Sequence, residues 1–153
     1  YFEGNVVGWT GRSILADKKP KYLTEVQPGF VYGLDEQNYN KSFAIVCEGQ
    51  LDAIHVDGCA LGGSEISDQQ AMLLNRLQKQ IIVCPDRDIA GKKLVEQAIE
   101  LGWSVALPDW SSEVTDISEA VSKYGRLYTL YSIANTAEDS PLKIRLRAKK
   151  WFI

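Results

Sequence analysis

Four short apolar runs, Phe43–Cys47, Cys59–Leu61, Ile81–Cys84 and Trp103–Leu107, recur along this chain with helix-spaced stretches between them. Runs of this length with no polar face read as strands buried on both sides, the kind a parallel sheet uses in its interior. The stretches between them have helical punctuation. Leu51 to Val56 is stopped by Gly58. Ser67 and Gln70 form a capping box ahead of Leu73, Leu74 and Leu77, with Ile66 placed to staple against Ala71. A third helix starts near Ile89, carries Leu94, Val95, Ala98, Ile99 and Leu101, and meets Gly102 at its C′ position. A fourth, with Thr115 as the expected N-cap, carries Ile117, Ala120, Val121 and Tyr124 and ends at Gly125. Strand and helix alternating at these lengths predict right-handed βαβ crossovers. The fold class is α/β: about four parallel strands flanked by helices, over residues 41–125.

The flanks have another rhythm. Residues 1–40 read as a small segment of strands and loops. Val6 to Arg12 is a short strand, Lys18-Lys19-Pro20-Lys21-Tyr22-Leu23 a basic loop, and Pro28-Gly29 a break. Residues 126–153 read as a helical, basic extension: Leu127, Leu130, Tyr131 and Ala134 suggest one helix. From Ser140-Pro141 onward the alternation of Leu142, Ile144, Leu146 and Ala148 with basic residues also fits a strand, and helix is preferred. The chain opens on Tyr1-Phe2-Glu3-Gly4 rather than methionine, which suggests a piece of a longer protein. With a net charge of −3 the whole does not advertise nucleic-acid binding, but Lys143, Arg145, Arg147, Lys149 and Lys150 form a local basic strip. No run approaches the length of a membrane span, and a cytoplasmic protein is expected (host cytoplasm if viral). Cys47, Cys59 and Cys84 lack metal-ligand spacing and read as small buried hydrophobes. His55, the single histidine, reads as a helix-surface residue.

Acids stand where the strands end. Glu48 closes the first strand, Asp86 and Asp88 the third, and Asp109 the fourth, so all four fall at one edge of the sheet. Asp52 lies one turn beyond Glu48 and Asp116 opens the last sheet-covering helix. In open α/β sheets the working crevice lies outside the carboxyl ends of the strands. Oxygen ligands gathered there favour Mg²⁺ or Mn²⁺ over zinc, and magnesium leaves places for phosphate oxygens. Gly49 and Gly62-Gly63 would let backbone approach such a phosphate. Asp109 and Asp116 equally suit a loop and a helix N-terminus.

These residues carry a resemblance. Glu48-Gly49-Gln50-Leu51-Asp52 after an apolar strand, with Asp86-Arg87-Asp88-Ile89-Ala90-Gly91 closing a later one, resembles the Toprim domain of bacterial-type DNA primases. Gly11-Arg12-Ser13-Ile14, Lys19 to Leu23 and Tyr32-Gly33-Leu34 are similar to the segment that precedes it there. Taken with Gly62-Gly63, Thr115-Asp116 and the basic end, the similarity is closest to the primases of T-even-type bacteriophages, although the aspartate motif itself reads more like the cellular enzymes.

The resemblance implies a DNA-directed RNA polymerase that makes short RNA primers on single-stranded DNA by divalent-metal-dependent nucleotidyl transfer. Glu48, Asp86 and Asp88 would be catalytic and hold Mg²⁺ or Mn²⁺; Asp52, Asp116 and Asp109 would join or support the metal set. Arg12, Lys21 and Tyr22 would grip nucleic acid. Partners would be the template, ribonucleoside triphosphates, the primer and a replicative helicase, and zinc would belong only to an N-terminal module outside this sequence. Two readings compete: another Toprim enzyme, a nuclease or topoisomerase piece using the same acids, and a non-catalytic module that binds nucleic acid or a helicase.

Overall fold

The computed structural model describes residues 1–15, 17, 19–20, 22–38 and 40–152. Two strands come first, β1 (Gly8–Arg12) and β2 (Tyr22–Val26), antiparallel, with Arg12 opposite Tyr22 and Gly8 opposite Val26. The register is marked by Thr10 and Thr24, whose hydroxyls meet at 2.8 Å. Tyr22 and Leu23, read from sequence as part of a basic loop, therefore belong to a strand. The cross-strand partners that make them one lie on β1, outside the loop's own sequence.

The main sheet has five strands in the order β4-β3-β5-β6-β7. β3 (Phe43–Cys47), β4 (Cys59–Ala60), β5 (Gln80–Val83) and β6 (Ser104–Ala106) run parallel, and β7 (Ala137–Glu138) pairs antiparallel with β6. The parallel part is the one expected. β7 is an addition, and its two residues are too few to carry a periodic signal. Helices α1 (Gln50–Val56), α2 (Asp68–Asn75), α3 (Ile89–Glu100) and α4 (Ile117–Tyr124) alternate with these strands, and α5 (Arg126–Thr136) and α6 (Pro141–Trp151) complete the chain.

The strand order decides where a site can form. From β3 the chain crosses to β4 on one side, then returns to place β5 on the other. That reversal is a topological switch point, and it opens a crevice beyond the carboxyl ends of β3 and β5. Both central strands are sealed: Val46, Cys47 and Val83 have no exposed surface. The same core takes in Val31 and Leu34 from the N-terminal segment and Ile144 and Trp151 from α6. Buried Ile144 and Trp151, with part-buried Ala148 between them, follow a helical spacing, which settles the last segment as helix.

Two local readings hold in detail. Ser67 caps α2, accepting the Gln70 N–H at 3.2 Å, while Ser67 N–H donates back to Gln70 Oε1 at 3.0 Å. The buried Gln70 amide also donates to the carbonyls of Phe30 and Leu61 at 3.1 and 2.9 Å, tying the N-terminal segment to the sheet. The three cysteines are free and buried, with burial pushing the Cys59 thiol up to about 12. One cap is corrected. Asp116, not Thr115, is the N-cap of α4: its carboxylate accepts the Glu119 N–H at 2.6 Å, while the Thr115 N–H and hydroxyl bond to Glu119. A carboxylate caps more strongly than a hydroxyl at the positive end of a helix. Among the described residues, no helix is long and apolar enough to cross a membrane.

Candidate metal centre

Because β3 and β5 are neighbours in register, Val46 opposite Val83, the residues that follow them emerge side by side. Glu48 leaves β3 and Asp86 leaves β5, and the Asp86 N–H points at Glu48 Oε1 from 3.4 Å. The Glu48 backbone is held from the other side, where its carbonyl accepts the Gly62 N–H at 2.9 Å. Gly62 is thus occupied in securing Glu48, whereas a side chain at Gly63 would meet open space.

Three more acids stand at the mouths of helices. Asp88 caps α3 by accepting the Gly91 N–H at 2.8 Å. Asp116 caps α4. Asp52, buried on α1, accepts the Ser118 N–H at 2.8 Å and its hydroxyl at 2.6 Å, so it also binds the first turn of α4. His55 approaches the same Ser118 hydroxyl at 3.2 Å; it is half-buried at the α1–α4 contact rather than free on a surface. Each of these three carboxylates commits an oxygen to backbone donors at a positive helix end.

Glu48 and Asp86 have no comparable support. Burial first, and then the neighbouring carboxylates of Asp88 and Asp52, raise Glu48 to about 6 against one weak backbone bond that lowers it. Burial raises Asp86 to about 8, helped by Glu48, Asp52, Asp116 and Asp88 in that order. Asp116 is raised as well, mainly by burial. Among the described residues none of these five acids forms an ion pair.

Tight packing holds the aspartate loop against α3. A side-chain carbon at Gly91 would lie 2.0 Å from the Asp86 carbonyl oxygen, so only glycine admits this approach. At Gly49 such an atom would lie 2.9 Å from Asp52 Oδ2. Arg87, between the two aspartates, turns away from them to other partners. Its guanidinium lies 3.9 Å from the Trp151 ring centroid and donates to the carbonyls of Ser111 (3.0 Å) and Trp110 (3.4 Å). No sequence signal announced Trp151 as its partner.

The donor set, oxygen only and crowded, is of the kind a hard divalent cation takes, and burial ahead of mutual repulsion raises Glu48 and Asp86. Among the described residues no three acids, thiols or imidazoles close on a single ligand sphere. Glu48 and Asp86 stand together at the strand ends, with Asp88 near enough for its charge to bear on Glu48. Asp109 is exposed just beyond β6 and is not among the acids that bear on Asp86. On the hairpin, the Arg12 guanidinium lies 5.4 Å from the Tyr22 ring centroid, and both residues are exposed. Lys21 lies outside the described residues.

A crevice at the switch point of a mostly parallel sheet, lined by a glutamate after one central strand and an Asp-x-Asp pair after the next, defines the Toprim class. The model of the Toprim-like family matches residues 45–121, half of the chain, and the chain belongs to that family. The curated relatives it matches are DNA primases. A DNA primase of Aquifex aeolicus (strain VF5) is 30% identical over 141 residues, covering 80% of this chain and 28% of the relative. A DNA primase of Legionella pneumophila is 33% identical over 112 residues, covering 63% of this chain and 19% of the relative. The chain therefore spans less than a third of the length of these curated relatives. The crystal structure of the zinc-binding and RNA polymerase domains of the Aquifex aeolicus primase is similar with a TM-score of 0.72 at 27% identity. It covers 96% of this chain and 41% of that one. The RNA polymerase domain of Mycobacterium tuberculosis primase has a TM-score of 0.73 at 19% identity, covering 96% of this chain and 55% of that one, and shares the fold.

Proposed function

We propose that this chain is the metal-dependent catalytic part of a DNA primase, joining ribonucleotides into a short primer on single-stranded DNA. The observation that carries the proposal is the meeting of Glu48 and Asp86 at the switch point between β3 and β5, crowded by further acids and, among the described residues, in no ion pair. Such a pair is costly to ionise alone and becomes favourable when a divalent cation shares it.

Glu48, Asp86 and Asp88 would close on Mg²⁺ as it binds. The bound ion would neutralise the triphosphate of the incoming nucleotide and activate the primer 3′-hydroxyl. The rest is positioning. Asp52 and Asp116 fix α4 across the crevice mouth, Gly91 lets α3 close on the aspartate loop, and Gly63 leaves backbone open to a phosphate. Arg12 and Tyr22 offer a cation and an aromatic face on one side of the hairpin, a pairing suited to phosphate backbone and unstacked base.

Two finer points belong to the same reading: a replicative helicase as partner, and a lineage near phage primases. The relatives named above are bacterial and support the primase class rather than that lineage.

Incubating the protein with single-stranded DNA, labelled ribonucleotides and Mg²⁺ tests the proposal. Labelled oligoribonucleotides that vanish in Glu48→Gln and Asp86→Asn support it. Shortened DNA would identify a nuclease instead, and retention of DNA with neither product a binding module.

A further inference from the structure

Arg87 occupies an odd position, since a cation between two acids of a crowded carboxylate site would ordinarily neutralise them. The chain bends at Arg87 and Asp88, and the Arg87 side chain finds its partners away from both aspartates. What it meets on the far side is built from distant parts of the chain. Its guanidinium lies 3.9 Å from the ring centroid of Trp151, at the end of α6, and its fork donates to the carbonyls of Trp110 and Ser111 in the β6–α4 connection. Its own N–H donates to the Thr115 carbonyl at 2.8 Å, next to the Asp116 cap. Trp151 is buried and fixed in turn by Trp110, with ring centroids 5.7 Å apart, and the Trp110 indole donates to Ser132 Oγ on α5 at 2.9 Å. Beside it Lys92 of α3 lies 5.6 Å from the Phe152 ring.

We propose that Arg87 is a positioning residue of the metal loop, and that α6 sets the geometry of Asp86 and Asp88 through the Arg87–Trp151 stack. The proposal rests on the metal reading of the site and adds to it a remote element. Arg87 Nε and Trp151 Nε1 are both buried without an acceptor among the described residues. The junction therefore depends on ring-to-guanidinium contact and the two carbonyl bonds, not on a complete hydrogen-bond set. Lysine, a point charge on a flexible stem, cannot reproduce it. Phenylalanine in place of Trp151 keeps a face for stacking and removes one unpartnered donor.

Charge and geometry predict opposite outcomes, which makes the test decisive. If Arg87 acted only as a charge near the acids, removing it would tighten cation binding. If it positions them, removing it weakens binding, by roughly tenfold for a partner that orients ligands. Mn²⁺ alone, titrated into the full 153-residue chain and followed by electron paramagnetic resonance, reads this without any turnover. Circular dichroism of each metal-free variant confirms the fold at the temperature used. Arg87→Lys and Arg87→Met should each weaken Mn²⁺ binding about tenfold, and Trp151→Phe should stay within about twofold of the parent. The pair Arg87→Met with Trp151→Ala should be no worse than the poorer single change, because both cut one link. A folded Arg87→Met that binds Mn²⁺ as tightly as the parent, or more tightly, overturns the positioning role alone. A parent that binds no Mn²⁺ overturns the metal reading, and the positioning role with it.

Discussion

Replacing Asp86 by asparagine should make the metal-free protein more stable, and by an amount that depends on pH in a way no packing effect reproduces. Asparagine keeps the shape of the carboxyl group and removes its charge. In the folded chain Asp86 is raised to about 8 by burial and by four neighbouring acids, so folding takes up a proton there. The sign follows. A group whose folded pKa lies above its unfolded value contributes fully below the unfolded value, near 3.9, and that contribution is lost as the pH rises through the folded one. At roughly 1.36 kcal/mol for each tenfold change in acidity, carrying this carboxyl to about 8 costs about 6 kcal/mol at high pH. Asp86 is only partly buried, and solvent screening brings the figure nearer 3 kcal/mol, as an order of magnitude. Asp86→Asn escapes that cost. For a chain of this size the gain corresponds to about 5–10 °C in melting midpoint at about pH 8, shrinking to nothing by about pH 4. Thermal melts of parent and variant across that range measure it. Adding Mn²⁺ at about pH 8 should then raise the parent and leave the variant unmoved, because the ion binds only the folded, deprotonated site. A variant less stable than the parent at pH 8, or a gap that does not change with pH, would refute the account of a crowded, unneutralised carboxylate.

Gly91→Ala should be among the most damaging small changes in the chain, since its new carbon meets the Asp86 carbonyl oxygen at 2.0 Å; a loss of about 3 kcal/mol in urea melts is expected, with weaker Mn²⁺ binding. Ser67→Ala should cost about 1 kcal/mol as a lost cap. Gln70→Ala should cost more, about 2–3 kcal/mol, because it also strands the Phe30 and Leu61 carbonyls, and the same melts compare the two. Asp109→Asn should leave Mn²⁺ affinity within about twofold of the parent; a tenfold loss would return Asp109 to the metal set.

The acids of this site divide by what their second job is. Asp52, Asp88 and Asp116 each satisfy a helix N-terminus, so their charge is held by backbone donors with or without a cation. Glu48 and Asp86 have no such alternative and are raised to about 6 and about 8, while Asp116 is raised by burial despite its backbone bonds. On the proposed reading, this arrangement gives the crevice a negative frame around a pair that would answer to metal and pH. It also places α4 between the two roles, because Asp52 and Asp116 bind its first turn while the Arg87 N–H donates to Thr115, just before the cap.

Local physical chemistry was written plainly in the sequence. Apolar runs of four or five residues read as buried strands, Ser67 with Gln70 marked a helix start, and acids at the strand ends gathered at one edge of the sheet. Each of these depends on neighbours a few residues apart. Strand order does not. Glu48 and Asp86 are 38 positions apart, and they meet because β5 returns to pair with β3 rather than with β4, a choice made by packing across the whole sheet. The two residues of β7 became a strand only through the edge that β6 offered them. Arg87 had no legible partner because Trp151 approaches it from the far end of the chain. Periodicity and capping are local and survive in one dimension. The neighbours of a side chain across a core are a property of the folded whole.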